Sequence, residues 1–270
     1  MAGASTAFFF VFERIIVTCF KPLLRPVCKE QKDIELREKR TKKAAISVFK
    51  FFFFSFAVGF GYYVNKDTVF TSVVLGGNGD ESKIWENFPE MQIPNLYKEY
   101  YLILMGYHVS QTISHLAEIA HPKSDLVDML LHHFVTCALI LFSYMLNYIG
   151  PGVTIMYLHD IADLPASLTR VFSETRFKLL TVVVFLITVV AWLLTRLLYL
   201  PYLVYQCYKY KPINSFSNIE ILLGFLSILV LLHTFWFYMF MKILFNFSKK
   251  GETDDHISNV QPEKVKEKLA

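Results

Sequence analysis

The sequence predicts an all-α polytopic membrane protein built as a bundle of six transmembrane helices, and three observations carry that reading. Apolar residues make up 54% of the 270-residue chain and aromatics 16%, far from the composition of an average soluble domain. Six apolar runs, at 44–64, 96–119, 126–149, 153–172, 177–206 and 219–247, each supply the ~20 residues needed to cross ~30 Å of hydrocarbon. Charge is also uneven. Lys21, Arg25, Lys29, Lys32, Arg37, Lys39, Arg40, Lys42 and Lys43 crowd the flank of the first run, whereas Asp67, Asp80, Glu81, Glu86 and Glu90 make the following loop acidic.

The charge asymmetry sets topology. Basic flanks stay in the cytosol, and six spans return the chain to the side it left, so both termini are expected to be cytosolic. Arg170, Arg176 and Lys178 then fall on a cytosolic turn and Lys249 and Lys250 on a cytosolic tail, while Lys209 and Lys211 run against the rule. A basic run also suits nucleic acid, but its place directly before an apolar helix is explained by topology, and no nucleic-acid partner is expected. The chain thus divides into an amphipathic and basic cytosolic segment (1–43), a six-span domain (44–247) and a polar cytosolic tail (248–270). Within the first, residues 7–28 are interrupted by Glu13 and Arg14 and are expected to lie as an interfacial helix. Their charge follows the apolar part, unlike a secretory signal. Pro201 is expected to kink or end the fifth run. Cys19, Cys28, Cys137 and Cys207 have no metal-ligand spacing and read as small hydrophobes.

The tail ends in Lys266-Glu267-Lys268-Leu269-Ala270. This K-x-K-x-x pattern resembles the retrieval address of endoplasmic reticulum membrane proteins; a solvated charged tail is the plain alternative.

Asp128, His132, His133, His159, Asp160 and Asp163 all lie inside or at the edge of apolar runs. A charge at the bilayer centre costs at least ~2.5–3.5 kcal/mol, so such residues mark a working site more often than filler. Gly150-Pro151-Gly152 is expected to turn the chain between the third and fourth runs and make them antiparallel neighbours. His132 lies seven residues beyond Asp125, and Asp163 seven before Arg170, so both should sit about 10 Å below the cytosolic boundary. Asp128, His132 and Thr136 share a face at four-residue spacing, as do His159 and Asp163. Imidazoles on one helix and carboxylates on the other form an arrangement suited to a general base or nucleophile, with Asp160 or Asp163 orienting a histidine. Zinc or iron is the rival occupant, but histidine-box enzymes need several HxxHH clusters and this chain has one HH pair, so no metal is expected. Taken singly, His108, His159 and His233 read as interhelical hydrogen-bonding groups, and Arg196 as a side chain snorkelling to the far interface.

These residues also carry a resemblance. Asp125-Leu-Val-Asp-Met-Leu-Leu-His132-His133, then Thr136, Ser143-Tyr144 and Asn147, His159-Asp160-Ile-Ala-Asp163, Thr195-Arg196-Leu-Leu-Tyr-Leu-Pro201 and His233-Thr-Phe-Trp236-Phe-Tyr238, preceded by Trp85, Phe88-Pro89, Tyr100-Tyr101 and Tyr107, resemble the ceramide synthases of the TLC-domain family. The resemblance implies a six-helix TLC bundle. It also implies transfer of a fatty acyl group from acyl-CoA to the amine of a sphingoid long-chain base, giving (dihydro)ceramide and CoA. No cofactor is implied beyond acyl-CoA as co-substrate, membrane lipids surround the site, and homodimers suit the family. It assigns catalysis to His132, His133, Asp160 and Asp163, and substrate contact to Asp128, Thr136, Ser143, Tyr144, Asn147, His159, Arg196, His233 and Trp236. Two positions depart from the family pattern. An Arg usual after S-Y-x-x-N is absent from Tyr148-Ile-Gly-Pro-Gly152, and a Lys usual after H-D-x-x-D has its counterpart in Arg170. A non-catalytic TLC protein that binds lipid or serves a membrane complex is the alternative.

Overall fold

A chain rich in apolar residues has one economical way to satisfy its backbone in hydrocarbon, the local i to i−4 hydrogen bond, and helices dominate the computed structural model. It describes residues 2–29, 34–66, 68–69, 71–88, 90, 96–117, 126–211 and 218–250. The helices are α1 (Ala2–Leu24), α2 (Ile34–Asn65), α3 (Tyr97–Ala117), α4 (Leu126–Met145), α5 (Ile149–Ser173), α6 (Lys178–Lys209) and α7 (Asn218–Lys250). The described residues contain no strand, only an isolated antiparallel bridge between Cys28 and Thr175.

Four of these helices, α2, α4, α6 and α7, are long and apolar enough to cross a membrane. The expected runs at 96–119 and 153–172 fall on α3 and α5, whose polar residues explain why they are not among the four. Lys98, Glu99 and Gln111 lie on α3, and His159, Asp160, Asp163 and Arg170 on α5. Helix α5 packs along α2 and α6 and touches α3 and α4 as well, so its polar groups face protein.

Helix α1 does not lie across the end of the bundle, as an interfacial helix would. It packs lengthwise on α2 and α3. Phe9 meets Phe53 and Tyr107 at ring-centroid distances of 5.3 and 5.8 Å, and Glu13 accepts a hydrogen bond from Gln111 at 3.2 Å. The matched order of these contacts makes α1 parallel to α3. Its apolar face found partners in the aromatic cluster centred on Phe53 and Tyr107, whose rings stack at 3.6 Å, which removes the reason to lie at the interface.

The two ends of the bundle are closed differently. At the basic end, Arg40 is fully buried and meets Glu174 at 3.0 Å, with Lys43 on the same carboxylate at 3.1 Å. The backbone adds Lys29 N–H to the Glu174 carbonyl and Arg176 N–H to the Val27 carbonyl. Part of the basic flank is therefore an internal clamp between α2 and the α5–α6 turn. Outside it, the Lys21 ammonium hydrogen-bonded to Glu38 holds that carboxyl below its ordinary range, which ties α1 to α2 at the surface.

The opposite end is covered by the loop after α2, which contains short 3₁₀ turns at Val73–Leu75 and Glu81–Lys83. The Trp85 indole N–H donates to the Cys207 carbonyl at 3.0 Å, and Phe88 stacks on Tyr148 at 5.1 Å.

Two expected breaks are placed differently by the structure. The turn between α4 and α5 lies at 146–148, and Gly150-Pro151-Gly152 opens α5, where the first turn has free N–H groups and tolerates proline. Pro201 does not end the fifth run, because residues Leu193–Tyr199 just before it are π-helical. The wider turn relieves the clash that a proline ring makes with the preceding carbonyl.

Candidate active site

Asn147 is where the site begins to take shape. Its φ of 58° places it in the left-handed region. Tyr148 N–H bonds the Ser143 carbonyl at 2.7 Å and Asn147 N–H the Tyr144 carbonyl at 3.3 Å. This is a Schellman ending with asparagine in the left-handed position. Ser143-Tyr144-x-x-Asn147 is thus a helix terminator that turns the chain back so that α5 runs beside α4. Gly152 permits the close crossing, since a Cβ there would strike the Tyr101 hydroxyl and the Ser143 side chain. Tyr144 packs its ring on Tyr101 at 5.3 Å.

The crossing brings one face of α4 to a cavity that is partly open to the outside. His132, Thr136, Leu139, Ile140 and Ser143 supply the α4 wall, at the spacing of one helical stripe. His159, Asp160 and Asp163 face it from α5, and His108 from α3. The rest of the lining is apolar, chiefly Leu222, Leu223, Leu226 and Leu229 of α7, and ends on Trp85 and Tyr148.

The adjacent histidines part company here. His132 lines the cavity, with its ring 5.2 Å from Trp236 and 6.0 Å from His233. His133 points between α3 and α4, 5.1 Å from the His115 ring and 6.0 Å from His108, with neither ring nitrogen hydrogen-bonded. Asp128 lies one turn before His132, partly buried and outside the cavity lining.

Neither carboxylate holds a histidine. Asp160 accepts a hydrogen bond from the buried Tyr100 hydroxyl at 2.9 Å. Asp163 pairs with Arg196 at 2.9 Å. The Nδ1 of His159 is engaged by its own helix, at the Ile155 carbonyl. The expected carboxylate–imidazole pairing is replaced by an arginine centre, and the snorkelling expected of Arg196 is corrected with it. Arg196 is 1% exposed, stacks on Trp192 at 4.7 Å, and reaches His233 Nε2 at 2.7 Å and the His159 carbonyl at 2.9 Å. The reason is the π-helical stretch, which turns Arg196 into the bundle where Asp163 compensates it. Trp192 N–H in turn donates to the His233 carbonyl at 3.2 Å. His233, expected to be a lone hydrogen-bonding group, is fully buried at the hub of His132, His159, Trp192 and Trp236.

The arrangement offers an imidazole on the wall of an apolar cavity, with the Nδ1 of His132 and the Oγ of Thr136 carrying no protein partner. A carboxylate held by one tyrosine and a neutralised Arg–Asp pair stand beside it. Among the described residues no three or more His, Cys, Asp or Glu side chains gather in a metal-binding arrangement. Sequence reasoning missed Tyr100 as a partner of Asp160 and Trp192 as the platform of Arg196. The need of a buried tyrosine hydroxyl for a partner was the available signal for the first.

Comparison with known proteins agrees with these motifs. The chain is 29% identical over 223 residues to ceramide synthase 4 of Bos taurus, covering 80% of this chain and 54% of that protein. It is 28% identical over 189 residues to ceramide synthase hyl-2 of Caenorhabditis elegans, covering 65% and 57%. Sphingosine N-acyltransferase lag1 of Schizosaccharomyces pombe matches at 28% over 148 residues, or 55% of this chain and 36% of that one. The chain spans about half the length of the first two relatives. The TLC-domain profile matches residues 43–242, and the chain belongs to the TLC-domain family.

Proposed function

We propose that this membrane protein is an acyl-CoA-dependent N-acyltransferase that acylates the amine of a sphingoid long-chain base. One observation carries the reading. His132 lines a largely apolar cavity together with His108, Thr136, Ser143, His159, Asp160 and Asp163, so a reactive imidazole and a place for an alkyl chain share one space.

The chemistry needs nothing beyond the thioester. As nucleophile, a ring nitrogen of His132 attacks the thioester carbonyl, the C–S bond breaks and the electron pair leaves on CoA sulfur. The amine nitrogen then attacks the acyl-imidazole, the C–N bond to the ring breaks, and the amide forms with release of the amine proton. As base, His132 takes that proton while the amine attacks the thioester directly. Asp160 stabilises the positive charge that develops on the attacking nitrogen as the new C–N bond forms, in either route. Arg196, anchored by Asp163, holds His233 and the α5 backbone in register.

The proposed setting is a bundle in which the six helices α2–α7 span the membrane with the α1–α2 and α5–α6 ends and the C-terminus cytosolic, supported by the basic residues at those ends; α1, parallel to α3, then starts on the opposite side, in place of the expected cytosolic N-terminus. The K-x-K-x-x tail supports endoplasmic reticulum residence; it lies outside the described residues, as do Asp125 and Pro89. CoA stays on the aqueous side, no metal or nucleic acid takes part, and a homodimer is compatible with this layout.

The test is intact-protein mass spectrometry of purified protein given a long-chain acyl-CoA and then a sphingoid base. An acyl adduct on His132 that disappears on addition of the amine establishes the two-step route. Ceramide without an adduct establishes direct attack. Neither product, across a range of chain lengths, overturns the reading in favour of a non-catalytic lipid-binding TLC protein.

A further inference from the structure

The cavity lining runs from His132 and Asp163 at one level to Ser143, Gly152 and Trp85 at another, and the distance between these levels is set by two helices. From His132 to Ser143 on α4, and from Asp163 to Gly152 on α5, the chain advances eleven residues, or about 17 Å. That slightly exceeds one leaflet of a hydrocarbon core ~30 Å thick. Between these levels Thr136, His159 and Asp160 line the half nearer His132, and Leu139, Ile140, Ile155, Met156 and the leucines of α7 line the rest. Beyond Asp160 no charged side chain lines it, and at Trp85 the lining changes from helix to loop.

That end is Trp85. The residue comes from the loop after α2 yet is 8% exposed. Its indole N–H is anchored to a backbone carbonyl, Cys207 O, at 3.0 Å. Its ring is gripped edge-on by Tyr148 at 5.3 Å and Phe88 at 5.6 Å. Ile84, fully buried, belongs to the same apolar cluster. A large side chain fixed at three points at the far level of this lining is suited to act as a stop.

We propose that Trp85 is the length-limiting residue of the acyl chain. This rests on the acyltransferase reading of the same cavity. The occupant is the acyl chain, because its carbonyl must reach His132 while the rest of the molecule is exchanged: CoA leaves and the amine enters. An apolar shaft leading away from His132 retains the tail through that exchange. The long-chain base, which enters second, meets a filled shaft and keeps its tail in the surrounding lipid.

The experiment measures kcat/KM of the full-length protein with saturated acyl-CoAs stepped by two carbons, and separately with long-chain bases of different length. Trp85→Ala deepens the shaft, so the optimum moves to longer acyl chains. A chain two steps beyond the wild-type optimum gains about tenfold, the scale of a well-fitted apolar pocket. Leu223→Trp works in the opposite direction. It lies one turn above Ile219, raises the stop by about 5–6 Å and moves the optimum to shorter chains, so the proposal stays testable if the Trp85 variant fails to fold. A wild-type protein active on acyl-CoA whose optimum is unmoved by both substitutions overturns the role of Trp85 and leaves the acyltransferase reading intact. A shift in base length without a shift in acyl length also overturns it. Absence of transfer in the wild type overturns the acyltransferase reading itself.

Discussion

Arg196 of α6 and Asp163 of α5 form an ion pair at 2.9 Å in which the guanidinium is 1% and the carboxylate 25% exposed. Exposed pairs contribute little. Here Arg196 has no route to water and also holds His233 and the His159 carbonyl.

Asp163→Ala leaves that guanidinium without a counter-charge. Removing one partner of a buried pair costs about 3–5 kcal/mol, and the partial exposure of Asp163 places this one near the lower figure. Chemical unfolding in detergent should show it, with Arg196→Met in the Asp163→Ala background recovering part of the loss. Equal stability of Asp163→Ala and wild type would rule out a structural role for the pair.

Tyr100→Phe removes a hydroxyl that donates to Asp160. A buried acceptor left unsatisfied costs about 1–3 kcal/mol. Acyl transfer should fall with it, because the carboxylate loses its anchor on the cavity wall. The check is parallel measurement of unfolding midpoint and turnover; an unchanged turnover means that Asp160 is held by something else.

Asn147→Ala puts a residue that disfavours the left-handed region where asparagine tolerates it and should cost about 1–2 kcal/mol, whereas Asn147→Gly should be close to neutral. Thermal unfolding of the two variants separates a backbone role from a side-chain one. If glycine is as damaging as alanine, the amide itself is required.

Gly152→Ala drives a methyl group of α5 into the Tyr101 hydroxyl of α3, with the Ser143 side chain of α4 next in line, and should cost about 1–3 kcal/mol as an overpacked contact. Tyr101→Phe removes the first atom struck and should restore part of the stability. Additive losses in the double variant would sink this account.

Much of this was legible in the sequence. Every apolar run falls on a helix, and the stripe of His132, Thr136 and Ser143 follows from helical spacing. The convergence of His132 with Asp160 and Asp163 follows from an antiparallel pair of equal depth. Periodicity fixes which face a residue occupies on its own helix, but not which neighbour that face meets. For this reason the parting of His132 from His133, the partner of Arg196 and the reach of Trp85 to Cys207 were not readable. Arg196 escapes a sequence reading for a further reason. It lies in a π-helical stretch, whose phase α-helical periodicity does not give.

That stretch, Leu193–Tyr199, bonds through the fifth residue back, as between Leu200 N–H and the Thr195 carbonyl. Each such turn takes up one residue more than an α-helix, so the two halves of α6 are out of phase with each other. A single-residue deletion within 193–199 would let this stretch close as ordinary α-helix and leave the flanking halves in place, whereas the same deletion within 178–192 would leave hydrophobicity and length almost untouched while rotating the half that carries Leu203 and Cys207 by about 100°. The carbonyl that receives Trp85 would swing away with it. An ordinary hydropathy comparison would score such a chain as equivalent, and related chains that differ by one residue in α6 are to be aligned by phase rather than by composition.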